Sequence, residues 1–132
     1  MLGELFGEST GRRILRRVVS SEPLKAEVSF EETGKMLGVN MNGFGTYVAE
    51  VHSNGTMFGE GQGVLITQDG EMVTWKGSGL GRFKEGGAVS YRGILYYHTT
   101  STKLARLNQA PGVFEYEVDA EGKTHEKIWE WK

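Results

Sequence analysis

The stretch Gly59-Glu60-Gly61-Gln62-Gly63 places a glycine at every second position, and Gly77-Ser78-Gly79-Leu80-Gly81 repeats the pattern further along the chain. Side chains alternate between the two faces of a strand, so one face of each segment carries no side chain. A sheet bends tightly at such positions, or leaves space in front of the opposite strand. The two segments therefore predict a curved antiparallel sheet that closes into a barrel.

Turn-forming residues recur at intervals of roughly 10 to 17 residues, which favours the long strands of a meandering barrel. We predict eight strands, at residues 12–19, 24–31, 35–52 (interrupted at 40–43), 56–67, 72–83, 88–100, 113–119 and 123–131. The first of them also fits a short amphipathic helix. The long gap between Ser101 and Gly112 spaces Leu104 and Leu107 for one helical turn, which suits a cover for a barrel end. The predicted fold of residues 1–132 is a single all-β domain, an eight-stranded antiparallel up-and-down barrel.

Composition narrows the expected environment and partners. The chain has 132 residues, no cysteine and a formal net charge of −2. Its acidic amino-terminal segment lacks the features of a secretory signal, and no run approaches the roughly 20 apolar residues of a membrane span, so we expect a soluble cytoplasmic protein without a membrane partner. The one basic cluster has no interleaved aromatic residues, so we expect no nucleic acid partner and interpret it as a solvated strand or rim. It consists of Arg12, Arg13, Arg16 and Arg17.

Turn chemistry predicts which side chains face inward. Asn54-Gly55 and Asp69-Gly70 are favoured pairs for two-residue type I′ turns, and a turn of known length sets the strand register. In that register Glu60 and Gln62 point into the barrel. The same face carries the aromatic residues Tyr47, Phe58 and Trp75.

The turn after residue 84 leaves two registers open. A two-residue turn at Glu85-Gly86 places Arg92 beside Glu60, where its positive charge would stabilise the buried carboxylate. The same turn adds Tyr96 and His98 to the inner face. A three-residue turn, Glu85-Gly86-Gly87, sends Arg92 to solvent instead. It then turns inward the side chains of Val89, Tyr91, Leu95 and Tyr97.

The last two predicted strands meet at Ala120-Glu121-Gly122, interpreted as a three-residue turn. This register places Glu115 opposite Lys127, a favourable charge pair. It also turns Trp129 and Trp131 outward together, which predicts a homo-oligomer, most simply a two-fold dimer with these tryptophans at or beside its interface. The alternative register turns both tryptophans inward to close the barrel end.

Several segments together resemble a known group of proteins. They are Gly59-Glu60-Gly61-Gln62-Gly63-Val64, Asp69-Gly70-Glu71, Ala88-Val89-Ser90-Tyr91-Arg92-Gly93, Lys103-Leu104-Ala105-Arg106-Leu107-Asn108 and Phe114-Glu115-Tyr116-Glu117-Val118-Asp119. This combination spans nearly the whole chain and resembles a family of small uncharacterised prokaryotic β-barrel proteins. That family is similar in fold to plant allene oxide cyclase, so the resemblance implies a calycin-like eight-stranded barrel with an internal cavity. It implies no established activity, because a shared fold is a weak guide to function.

These features favour a protein that binds a small, mostly apolar organic molecule inside the barrel. One alternative is a cyclase or isomerase type of enzyme, with Glu60 as acid/base or cation stabiliser and Arg92 as its charge partner. Another is a packed barrel that serves only as a non-catalytic oligomeric module. We expect no cofactor, because the glycines lack the Gly-x-Gly-x-x-Gly spacing and the following helix of a nucleotide site. We expect no metal, because the histidines lack ligand spacing.

Overall fold

The computed structural model describes residues 1–132 as a closed barrel of eight antiparallel strands that pair in chain order. The strands are β1 (Leu2–Ser21), β2 (Leu24–Met36), β3 (Val39–Val51), β4 (Thr56–Thr67), β5 (Met72–Phe83), β6 (Val89–Thr99), β7 (Gly112–Val118) and β8 (Lys123–Trp131). The predicted all-β barrel is confirmed. Short 3-10 segments lie at Glu85–Gly87 and Ala105–Asn108, and no helix has the length and apolar character needed to cross a membrane.

The first three strands differ from the prediction: β1 and β2 are longer, and the chain turns between β2 and β3 at a later residue. β1 begins at Leu2 and runs without a helix through the arginine cluster. β2 and β3 meet at Leu37-Gly38, where both residues have positive φ, 50° and 78°, as a type I′ turn requires. The predicted interruption at residues 40–43 is wrong, because these residues alternate in and out as part of β3.

The Asn54-Gly55 and Asp69-Gly70 hairpins contain three-residue loops, not the predicted two-residue turns. In the second hairpin the Thr67 N–H donates to the Glu71 carbonyl at 2.9 Å, and the Gly70 N–H donates to the Thr67 carbonyl at 3.0 Å. Only the glycine of each pair has positive φ, whereas a type I′ turn needs positive φ at both central positions. Each loop therefore holds one residue more than predicted.

One extra loop residue changes which β4 side chains face inward, because side chains alternate along a strand. Gly59 lies opposite Gly79, and Glu60 lies opposite Ser78. Glu60 and Gln62 are exposed on the outside. Their predicted inward placement is wrong.

The third hairpin adopts the three-residue alternative. The Lys84 N–H donates to the Ala88 carbonyl at 2.8 Å, which places Arg92 opposite Leu80 on the outer face. Tyr91, Leu95 and Tyr97 are buried on the inner face. The predicted inward placement of Arg92 is therefore wrong.

The hairpin that joins β7 and β8 has the predicted register. Glu115 lies opposite Lys127 and Phe114 opposite Ile128. Ile128 is buried, so Trp129 and Trp131 lie on the outer face, where Trp131 is 45% exposed. The register with inward tryptophans is excluded.

The segment between β6 and β7 closes one end of the barrel. Leu104 and Leu107 are fully buried there and belong to the same core as Phe6 and Met36. The Asn108 side chain ties the segment to β6, donating to the Thr99 carbonyl at 2.9 Å and accepting from its N–H at 2.8 Å. The barrel interior therefore has one closed end.

Candidate functional site

The glycine segments line the interior and make room for large rings from other strands. A methyl group at Gly63 would lie 2.5 Å from the Trp75 ring, and one at Gly81 would lie 2.6 Å from the Tyr91 ring. Real side chains do not approach so closely, so these rings occupy the space that the glycines leave. The bare strand faces therefore let the barrel hold several large rings.

Five of these rings form an aromatic cage, which we define as Phe30, Tyr47, Trp75, Tyr91 and Tyr116. The ring centroids of Phe30 and Tyr116 are 5.6 Å apart, and those of Tyr47 and Tyr91 are also 5.6 Å apart. The Phe30 and Trp75 centroids lie 6.2 Å apart. Such distances are typical of attractive aromatic pairs. The cage is a packed unit built from five different strands.

A cavity lies against the cage. The centre of a water-sized sphere can occupy about 50 Å³ of it, which corresponds to roughly three to five water molecules. A smaller cavity of about 20 Å³, defined in the same way, shares Trp75, Leu95 and Glu126 with the first. Besides the cage, the larger cavity is lined by Gly59, Gly61, Gly77, Ser78, Gly79, Leu95, Phe114 and Glu126.

Two carboxyl groups lie beside these cavities, where Glu32 is buried and Glu126 is half-buried. Ser9 Oγ donates a hydrogen bond to Glu32 Oε1 at 2.6 Å, whereas no protein group donates to Glu126. Burial raises the pKa of Glu126 well above its ordinary value, and the negative charge of nearby Glu32 raises it further. Burial also raises the pKa of Glu32, although the Ser9 bond opposes the shift. Both carboxyls therefore hold their protons above the ordinary range of a glutamate, and only Glu32 has a hydrogen-bond donor that favours its charged form.

The tyrosine hydroxyls inside the barrel are also held in their neutral form. Tyr116 lies opposite Glu126 in the sheet, and its buried hydroxyl has no hydrogen-bond partner. Burial raises the pKa of Tyr91 to about 12, and its hydroxyl makes only a long contact of 3.8 Å to Met57 Sδ. Burial raises the pKa of Tyr97 as well, followed by the charges of Glu126 and Glu32. The cavity thus offers hydrogen-bonding groups that the protein leaves unpaired.

Among the predicted cavity residues, Tyr47 and Trp75 line the cavity. The other six predictions of inward placement are wrong, because the hairpin loops are one residue longer than predicted. These six, all with exposed side chains on the outer face, are Glu60, Gln62, Arg92, Phe58, Tyr96 and His98. Arg92 pairs with Glu115 at 3.6 Å and with Glu117 at 3.3 Å instead of with Glu60.

Sequence reasoning missed both buried carboxyls. A signal for Glu126 was present, because inward Ile128 places Glu126 on the same face of its strand. Glu32 gave no such signal, since the strand that holds it was predicted to end at residue 31. No three His, Asp or Glu residues come together as a metal site.

The chain is similar in structure to several solved proteins. No protein-family model matches it, and no curated protein matches it in sequence. A protein of unknown function from Clostridium acetobutylicum matches with a TM-score of 0.84 and 12% identity, over 98% of both chains. A β-barrel-like protein from Acinetobacter baumannii matches with a TM-score of 0.78 and 13% identity, over 98% of this chain and 94% of that one. An enzyme from Penicillium herquei matches with a TM-score of 0.68 and 13% identity, over 96% and 92%. At these identities the likeness establishes the fold alone.

Proposed function

We propose that this barrel binds one small organic molecule, with an apolar ring against the aromatic cage and a hydrogen-bonding group at Glu126. The observation that carries the proposal is the Glu126 carboxyl, which lines both cavities inside the barrel and makes no hydrogen bond with the protein. A buried polar group without a hydrogen bond is costly in free energy, so such groups are rare in folded proteins. A polar atom of a ligand would relieve this cost.

The neighbouring tyrosine supports the same position for the ligand. Tyr116 faces Glu126 across the strand pair, and its hydroxyl is buried and has no hydrogen-bond partner. A protonated carboxyl and a phenol can each donate or accept a hydrogen bond. One hydroxyl or carbonyl oxygen between them would satisfy both groups.

The walls and the volume support the ligand class. Ligand sites are commonly apolar and aromatic with a few polar groups that orient the ligand. The larger cavity has this composition, and its volume suits a single small ring better than a long chain. The proposed ligand is therefore small and mostly apolar, as expected from the sequence. The polar groups proposed to bind it are Glu126 and Tyr116 instead of Glu60 and Arg92.

The experiment compares phenol with toluene, which has the same ring but no hydroxyl. Both are titrated into a Trp129→Phe/Trp131→Phe background, so that Trp75 alone reports by fluorescence. We expect phenol to bind more tightly than toluene, and Glu126→Leu to remove the difference. Gly59→Ala should weaken both ligands, because its methyl group would lie in the cavity wall, 3.3 Å from the Tyr91 ring. Glu60→Gln, on the outside, is the control.

Failure of phenol to bind would contradict the proposal. So would phenol binding that survives both Gly59→Ala and Glu126→Leu unchanged. The first result would favour the alternative of an oligomeric module without a ligand, and the second would place phenol outside this cavity.

The raised pKa of Glu126 favours a second candidate, an acid/base enzyme of the cyclase or isomerase type in the same cavity. A carboxyl that keeps its proton above the ordinary range of a glutamate is suited to donate it to a substrate. A test is exchange of the α-hydrogens of cyclohexanone in D₂O. Catalysis by wild type that is lost in Glu126→Gln would support the enzyme, whereas equal rates would exclude this reaction.

A further inference from the structure

Two arginines of β1 share the inner face of the barrel, although an odd spacing along a regular strand would place them on opposite faces. Arg13 lies opposite Phe30, Leu15 opposite Ser29 and Arg16 opposite Val28. The bulge between Arg13 and Leu15 adds one residue and so restores the inward direction at Arg16. Phe30 and Val28 are both buried on the inner face.

These arginines lie toward the barrel end opposite the one closed by Leu104 and Leu107. The pairing of β1 with β8 ends at Arg12, so the part of β1 that follows Arg12 extends beyond the end of β8. The Arg13 side chain is half-buried, and the backbone N–H of this residue donates to the Gly122 carbonyl at 2.7 Å. Arg16 is exposed. The positive charges of both oppose the burial that raises the pKa of Tyr47, a residue of the cage.

The two inner arginines lack the ion pairs that their outer neighbours make. Arg12 Nε lies 3.0 Å from Glu31, and Arg17 Nη2 lies 3.1 Å from Glu27. Arg13 and Arg16 make no ion pair with any carboxylate of the chain. Their positive charge therefore remains available at the rim of the interior.

The charges of the interior would orient an anionic ligand. Glu32 and Glu126 lie inside the barrel with no cation beside them, so a ligand carboxylate placed there would lose its hydration without gaining a positively charged partner. Arginine binds carboxylates well because its planar guanidinium matches their two oxygens. A carboxylate would thus lie toward the rim while its ring lies in the cage.

We propose that Arg13 and Arg16 bind the carboxylate of the ligand, which makes that ligand an aryl carboxylate with a short linker. The inference rests on the proposed function, because the cage must hold the ring. A hydroxyl on the far side of the ring would meet Glu126 and Tyr116. The predicted ligand class is therefore a hydroxyaryl alkanoate.

The test uses 3-(4-hydroxyphenyl)propanoate and its neutral counterpart, 3-(4-hydroxyphenyl)propan-1-ol. Affinities are measured by calorimetry for wild type, for Arg13→Gln/Arg16→Gln and for the matched outer variant Arg12→Gln/Arg17→Gln. We expect wild type to bind the carboxylate about tenfold more tightly than the alcohol, since hydrogen bonds between charged groups are the stronger ones. The inner variant should lose this advantage and keep its affinity for the alcohol, and the outer variant should behave as wild type.

The outcomes separate the two proposals. If wild type binds the alcohol but binds the carboxylate no better, the arginine proposal is wrong while ring binding stands. An equal loss in the inner and outer variants would also overturn it, because general surface charge would then explain the effect. If neither compound binds wild type, both proposals fail together. Circular dichroism of each variant checks that the barrel is folded.

Discussion

Replacing Glu126 with glutamine is expected to remove a pH-dependent loss of stability. The groups packed around this carboxyl are Ser9, Glu32, Tyr97 and Tyr116, and none of them carries a positive charge. The unfolded chain releases the Glu126 proton near the ordinary pKa of 4.5, whereas the folded barrel holds it to higher pH. Above pH 4.5 the folded state therefore binds more protons, and stability falls as pH rises toward the native pKa.

The size of the effect follows from the single proton. A difference of one bound proton changes the free energy of unfolding by about 1.4 kcal/mol per pH unit. With an unfolding entropy of about 2.1 cal/mol/K per residue, the 132 residues give about 0.28 kcal/mol/K. The melting temperature of wild type should therefore fall, relative to Glu126→Gln, by about 5 °C per pH unit within this window.

The measurement is thermal unfolding by circular dichroism between about pH 5 and pH 7.5 for both proteins. We expect the two melting curves to differ least at the acid end and to separate as pH rises, with the glutamine variant more stable. Glu60→Gln, which changes an exposed carboxyl on the outer face, should follow wild type. Parallel pH profiles for wild type and Glu126→Gln would refute the reasoning, because the buried carboxyl would then ionise as freely as in the unfolded chain.

Three further predictions test the fold and its surfaces. Gly63→Ala should destabilise the barrel by about 1–3 kcal/mol, because its methyl group would lie 2.5 Å from the Trp75 ring; an unchanged midpoint in urea would mean that the ring can move away. Arg92→Ala should cost less than about 1 kcal/mol, because its ion pairs are exposed; a loss of about 3–5 kcal/mol would instead indicate a buried pair. The outward Trp129 and Trp131 are expected to lie at a dimer interface, so light scattering should find a dimer that Trp129→Ala/Trp131→Ala converts to monomer. A wild-type monomer would rule out this assembly, and a dimeric variant would place the interface elsewhere.

Much of the architecture is readable from the chain because strand periodicity is local. The bare faces at residues 59–63 and 77–81 predicted a curved sheet, and four of these six glycines line the cavity. The β7–β8 register was also predictable, since Gly122 has positive φ in its three-residue turn and Glu115 meets Lys127. These features depend on neighbours along the chain or on one hairpin.

The candidate site was less predictable because it depends on loop length. Asn54-Gly55 and Asp69-Gly70 suit both a two-residue turn and the end of a three-residue loop, and the choice reverses the inner face of β4. Glu60 and Gln62 were placed inside for that reason. Tyr47 and Trp75 were placed correctly, because their own strands keep the predicted face.

The sequence by itself determined the strand alternation, the bare glycine faces and the absence of cysteine, all of which follow from residue type and spacing. Only the tertiary structure decided which groups share the interior. Glu126 and Glu32 come together there because β8 and β2 both flank β1 in the closed barrel. Arg13 and Arg16 face the same way because of a bulge that no residue type in β1 specifies. These arrangements depend on pairing between distant strands, where one added residue reverses a face and a neighbouring charge changes a pKa.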